Sequence, residues 1–442
     1  MKIQLSDHFT YSKLFRFTLP SIAMMVFTSI YGVVDGYFVS NFAGKTAFAA
    51  INLIMPFVMV LGGMGFMIGT GGTALVSKVL GQRNKATANR YFSMMIEVTL
   101  LLGILLGVLG VVFMEPVARF LKATDEMMAD CVLYGRIVTG FTVTFMLQNV
   151  FQSFLIAAEK PKLGLIATIA AGVTNMVLDA LFVGVFRWGV AGAAIATGLS
   201  QCVGGVFPLI YFLRPNSSLL RFKPAKLEWK PILRACANGS SELMSNVSSS
   251  LVSILYNFQL LRYYGENGVS AYGVLMYVQF IFIAIFIGYS IGCAPVVGFH
   301  YGAENHGELK NMLGKSVLLM GIGGIVLTAL AQGLAEPLAH IFVGYDADLY
   351  TLTVHAFRLF SFTFLLAGFN IFSSSFFTAL NNGGVSAAIS FLRTLVFQCT
   401  CVLILPEVMR LDGIWWSNFF AEIGSFLVSL LFLLGMRKKY RY

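Results

Sequence analysis

Charged side chains are scarce in this sequence: only 11% of its 442 residues are Asp, Glu, Lys or Arg, against about 25% in soluble globular chains. With 57% hydrophobic residues and a mean hydropathy of +0.80, that shortage excludes a soluble domain and marks an integral membrane protein. Histidine and cysteine are also thin. The five histidines fall in no HExxH or other zinc spacing, and the six cysteines in no CxxC, so the metal-centre and redox motifs are missing. The cysteines read as small core residues. No nucleophile–base constellation stands out, and the chain reads as a non-enzyme with no cofactor. The glycine string GGMGFMIGTGG at 62–72 has no preceding strand and no GKS or GKT, which points to close helix packing rather than a nucleotide loop. A formal net charge of +10 raises nucleic acid as a partner. The basic residues are, however, spread among loops between apolar spans, so the partner is the lipid bilayer. The first basic and polar residues lead straight into a span too long for a cleavable signal peptide.

What is present is a succession of apolar runs of about 20 residues or more, the length that crosses a bilayer. They fall at 14–40, 48–77, 91–114, 128–158, 162–186, 189–213, 232–262, 269–298, 313–335, 350–380, 384–407 and 411–436. The expected fold class is all-α integral membrane, with twelve transmembrane helices. Pro20, Pro56, Pro161, Pro208 and Pro295 are candidate kinks or boundaries. Twelve spans put both termini on one side. Of the 30 lysines and arginines, most fall in loops on that side, which makes it cytoplasmic and the location a bacterial inner membrane.

The sequence also repeats itself. GQRN (Gly81–Asn84) recurs 221 positions later as GAEN (Gly302–Asn305). The same shift carries Glu115-Pro116 onto Glu336-Pro337, Asp125 onto Asp346, Phe141-Thr142 onto Phe362-Thr363, Asn149 onto Asn370 and Gly192 onto Gly413. Two six-helix lobes of like orientation, related by a pseudo-twofold along the membrane normal, are implied. The expected division is an N-lobe at 1–213, a cytoplasmic linker at 214–231 and a C-lobe at 232–442. Two lobes joined by one cytoplasmic strap suggest a transporter that rocks around a cavity.

Inside this apolar setting a few polar residues stand out. Asp35 lies well within the first span, where an aspartate costs roughly 2.5–3.5 kcal/mol to insert, so it is expected to face a bundle interior; the alternative is an aspartate at the helix end that reaches the headgroups. Asn175 and Asp179 are four residues apart on one helical face of the fifth span. A helical rise of about 1.5 Å per residue puts Asp35 and Asp179 at similar depth, in the outer half of the N-lobe, with Thr197 of the next span within reach. Two carboxylates, an amide and a hydroxyl make a candidate site for a proton or a small hard cation such as Na⁺; the alternative is a structural tie between two helices. Glu242, ten residues into the seventh span, is a candidate second site or a hydrogen-bonded packing residue. Arg393 and Glu422 read as a structural ion pair, the alternative being a substrate-linked pair. Tyr37, Met24, Met25, Met64 and Met67 could line a soft cavity wall for aromatic cations, or simply pack.

Taken together, the Pro20…Val34-Asp35 first helix, the GQRN and GAEN turns, and NMVLDALFV followed by GVAGAAIAT resemble the multidrug and toxic compound extrusion (MATE) family over essentially the full chain. The resemblance implies export of organic cations in exchange for inward H⁺ or Na⁺, by a chain acting as a monomer. In the DinF-like branch the coupling residues fall on Asp35, Asn175, Asp179 and Thr197. Glu242 resembles the seventh-helix glutamate of the NorM-like branch. The tenth span has no aspartate, only Asn370 nearby, which favours the N-lobe site and a proton as the coupling ion. The alternative is a lipid-linked oligosaccharide flippase of the same superfamily, whose cavities tend to be lined by basic residues.

Overall fold

The computed structural model describes residues 3–442, and among them there is helix and no strand. The chain begins with α1 (Tyr11–Phe38), α2 (Lys45–Gly81), α3 (Lys85–Val112) and a short α4 (Met114–Phe120). Next come α5 (Asp125–Gly140), α6 (Thr142–Ala157), α7 (Pro161–Asp179) and α8 (Gly189–Leu213). The second half holds α9 (Trp229–Gly302), α10 (His306–Val343), α11 (Ala347–Phe360) and α12 (Phe364–Ala379), then α13 (Gly383–Phe391), α14 (Gln398–Met409) and α15 (Leu411–Tyr440).

Ten helical stretches of the described residues are long and apolar enough to cross a membrane, and α5 with α6 form one further span bent by 54°. One of the ten is α9, whose 74 residues form two helices that meet at Gly265 (φ 63°, ψ −150°), where the chain reverses. A side chain disfavours that conformation and glycine accepts it. Counting the two halves of α9 separately brings the spans to twelve, in agreement with the sequence. Both termini therefore lie on one face, here called the terminus face. Pro20, Pro56, Pro208 and Pro295 sit inside helices, and Pro161 opens α7.

Local geometry obeys the repeat. Arg83 and Glu304, 221 positions apart, both adopt positive φ (61° and 56°). The bend at Phe141 between α5 and α6 is matched by the 3₁₀ turn Ser361–Thr363 between α11 and α12. Like residues at like positions have built like turns.

On the terminus face the halves meet closely. A Cβ on Gly71 would run into the Ala235 carbonyl oxygen, and one on Gly239 into that of Met67. Gly81 meets Phe299 and Gly302 meets Lys78 in the same way, so α2 and α9 touch backbone to backbone, as small residues permit. The Asn381 amide donates to the Ala74 carbonyl at 3.1 Å. Farther along the same helices toward the opposite face, Met59, Leu251, Ile254 and Phe258 are exposed.

Two extended segments dress the terminus face. Near the N-terminus Leu5 and Phe9 are fully buried. The Leu5 amide donates to Glu159 at 2.9 Å and the Phe9 amide to Glu308 at 2.9 Å. His8 Nδ1 lies 2.7 Å from the other Glu308 oxygen, and the Lys315 ammonium donates to the Phe9 carbonyl at 2.6 Å. Residues 5–9 thus cross from a turn of the first half to a helix of the second. In the linker, the amides of Arg221, Lys223 and Ala225 donate to Asn89, Ser93 and Glu97 at 2.9, 2.8 and 3.3 Å. Alternate residues of an extended strand meet every fourth residue of a helix, so this part of the linker lies along α3.

Candidate functional site

The helices that carry Asp35 and Asp179 each change winding just past the aspartate. The first, α1, ends in a π turn at Val39–Ala43, whose entry amide bonds back to the Asp35 carbonyl; α7 gives way to a π turn at Ala180–Val185 directly after Asp179. Such wide turns are rare and concentrate at functional sites. Val39 and Val183, one from each turn, share a buried cluster, which brings the two helices together beside their aspartates.

Asp179 is fully buried and Asp35 half-buried. The two carboxyls face each other closely enough to share a hydrogen bond when one carries the proton. Asp35 Oδ1 and both Asp179 oxygens have no other hydrogen-bond partner among the described residues. Two carboxylates so placed cannot both stay charged without a cation or proton between them.

Asn175 is buried one turn from Asp179. Thr197 stands half-buried on α8, where its carbonyl accepts from Ser200 at 2.8 Å; no hydrogen bond among the described residues joins its hydroxyl to the carboxyls.

Two phenols adjoin the pair that the sequence reading did not single out. Tyr134, 1% exposed on α5, lies within electrostatic reach of both aspartates. Tyr31, one turn before Asp35, sits beside it and hydrogen-bonds Gln148. Gln148 and Gln152, four apart on α6, were the available signal: two amides on one face of an otherwise apolar helix. Both are buried, and the Gln152 side-chain oxygen has no partner among the described residues.

The remaining candidates sit apart from this cluster. Glu242 is half-buried on the first half of α9, where its backbone carbonyl accepts the Asn246 amide at 2.9 Å. Tyr37 is 60% exposed. Met24 and Met25 belong to the core that α1 shares with α9, while Met67 and half-buried Met64 pack in a cluster of the first half. Among the described residues no three His, Cys, Asp or Glu side chains converge as a metal centre. Arg393 and Glu422 do pair: the guanidinium donates to both carboxylate oxygens at 2.7–3.1 Å.

A helical membrane protein of two like halves, with a buried carboxyl pair in the first, is the architecture of a transporter, and this chain belongs to the MATE family. The MatE family profile matches residues 20–181 and again 243–402, once in each half. Among its relatives, the multidrug export protein MepA of Staphylococcus haemolyticus is 23% identical over 451 aligned positions, covering 99% of this chain and 97% of that protein. MepA of Staphylococcus saprophyticus is 24% identical over 99% and 98% of the two chains. A solved outward-facing multidrug resistance MATE transporter of the MOP superfamily superimposes with a TM-score of 0.91 at 21% identity, covering 97% of this chain and 96% of that one. A MATE structure in complex with MaL6 gives 0.89 at 22% identity, over 96% of each chain.

Proposed function

We propose that this protein exports chemically diverse organic cations from a bacterial cell in exchange for protons, with the Asp35–Asp179 pair as the exchange site. The carrying observation is that these two carboxyls face each other in a buried place where, among the described residues, no basic side chain comes between them. A proton and a cationic substrate then compete for the same negative charge, which is the coupling an antiporter needs. The names of the staphylococcal relatives support multidrug export as the activity.

The cycle follows from the packing. With the glycine seam of α2 and α9 closed, the terminus face, assigned to the cytoplasm by its lysines and arginines, is shut and the carboxyls look outward. Proton uptake by the carboxylate that holds the drug removes the charge that bound it and releases the drug. Rocking then opens the terminus face, and the proton leaves as the next cation binds. Asn175 and Thr197 serve as flanking polar groups.

Proteoliposomes loaded with ethidium test the reading. An imposed proton gradient in sodium-free buffer should drive ethidium movement in the wild type, and D35N should abolish it while inserting normally. Movement that responds only to a sodium gradient overturns the proton assignment, and unchanged movement in D35N overturns the site.

A further inference from the structure

The second half holds a buried carboxylate for which the exchange cycle has no use. Glu422 on α15 is 1% exposed, and both its oxygens are engaged. Arg393 Nη2 donates to Oε1 at 2.7 Å, and Arg393 Nε reaches Oε1 at 2.9 Å and Oε2 at 3.1 Å. The Asn370 amide completes the set, donating to Oε2 at 2.6 Å and to the Glu422 carbonyl at 3.0 Å. Arg393 comes from the π turn Leu392–Phe397 between α13 and α14, and its side chain is only 16% exposed. The wide turn thus supplies a cation, where the wide turns beside Asp35 and Asp179 supply none.

The repeat sharpens the contrast. Shifted by 221 positions, Glu422 corresponds to Gln201, Arg393 to Gly172, Asn370 to Asn149 and Thr400 to Asp179. Each half therefore has its acid, at different places in the frame, and only the second half has added a base to meet it. The other titratable groups around this corner are the buried Tyr256, with Tyr272 stacked on it, and Cys399 and Cys401. Arg393 is the one cation in this group of described residues.

An arginine is charged at every physiological pH and its planar fork matches a carboxylate. A buried carboxylate held this way is already compensated, whereas one stripped of its partner must take up a proton or an ion.

We propose that Arg393 is a tethered substitute for a coupling ion: it keeps Glu422 permanently compensated, bars it from exchanging protons, and so confines ion exchange to the first half of the molecule. Arg393 is a positioning residue for coupling, touching neither substrate nor transported ion. The proposal rests on the proton-coupled reading above.

The test compares wild type, R393M, R393M/E422Q and R393Q, purified in lipid nanodiscs. Infrared difference spectra over a pH titration report protonated carboxyls, and a pH-indicator dye in weak buffer counts protons released on ethidium binding. R393M should gain one carboxylic C=O band that wild type lacks, and R393M/E422Q should lose that band and regain the wild-type proton count. If R393M does not survive purification, R393Q, which keeps hydrogen-bond donors but carries no charge, should show the same band. The absence of a new band in a folded R393M or R393Q protein overturns the proposal. So does a folded R393M/E422Q protein that no longer releases protons on binding ethidium, because the pair would then act in the exchange itself. If wild type releases no proton with ethidium, the proton-coupled reading fails, while the infrared comparison of R393M with R393M/E422Q still decides whether Arg393 is what keeps Glu422 unprotonated.

Discussion

Asn84 and Asn305 do the same work in the two halves: each side-chain oxygen accepts a backbone amide three positions on, from Thr87 and Glu308, at 3.1 Å in both cases. Each ends a turn whose preceding residue is left-handed, and each caps the helix that follows. An N-cap of this kind is worth about 1 kcal/mol. Asn84→Ala and Asn305→Ala should therefore each destabilise the protein by about that amount and nearly additively, given their separation in the chain. Chemical denaturation in detergent, reading the double mutant against the two singles, checks this.

The glycine seam should be intolerant of bulk. Gly71→Val would push a branched side chain against the Ala235 carbonyl. Overpacking of that kind costs roughly 1–3 kcal/mol, and here it falls on the closed terminus face rather than on either lobe. The expected outcome is a folded protein in which a cysteine placed at Ser77, fully buried in this state, reacts with maleimide tenfold faster or more. Equal labelling rates would show that the seam tolerates the added bulk.

Glu308 binds the N-terminal segment through His8 and the Phe9 amide, and its neighbour Asn311 donates both to Glu308 and to the Phe9 carbonyl. Glu308→Ala removes hydrogen bonds to a charged acceptor, worth about 1.5–3 kcal/mol. Residues 5–9 should detach more often, seen as faster amide hydrogen exchange at Leu5 and Phe9, with the exchange of α5 and α6 unchanged.

The ladder under the linker is separable in the same way. Ser93→Ala leaves the Lys223 amide without its 2.8 Å acceptor, a loss of about 1 kcal/mol. Limited proteolysis at the basic residues of 221–226 should quicken, while the rest of the chain keeps its resistance.

Much of the fold was legible because the bilayer enforces it. Spans are dictated by length and apolarity, and the repeat could be read from single turns such as GQRN and GAEN, which the structure builds alike. Gly265 was less legible. It carries the tight reversal between the seventh and eighth spans, and the sequence presents it as one glycine in an ordinary polar loop. At the site, Asp35 and Asp179 announced themselves by the cost of burying charge. Tyr134, Tyr31 and Gln148 stood out less, because a phenol or an amide carries no net charge and costs less to bury than a carboxylate. Only the bend at Phe141 between α5 and α6 shows where the span carrying Tyr134 and Gln148 turns. The cysteines, read as small core residues, are buried at Cys131 and Cys293 and half-buried at the other four.

The ladder on α3 also limits travel. Its last rung is Ala225, and α9 starts at Trp229. Four residues of fully extended backbone reach about 14 Å. That short leash caps how far the inner ends of α3 and α9 can part in any working cycle. A wider gape requires the rungs to peel off in order from Ala225 backwards, so stroke length is written into where the strand leaves the helix.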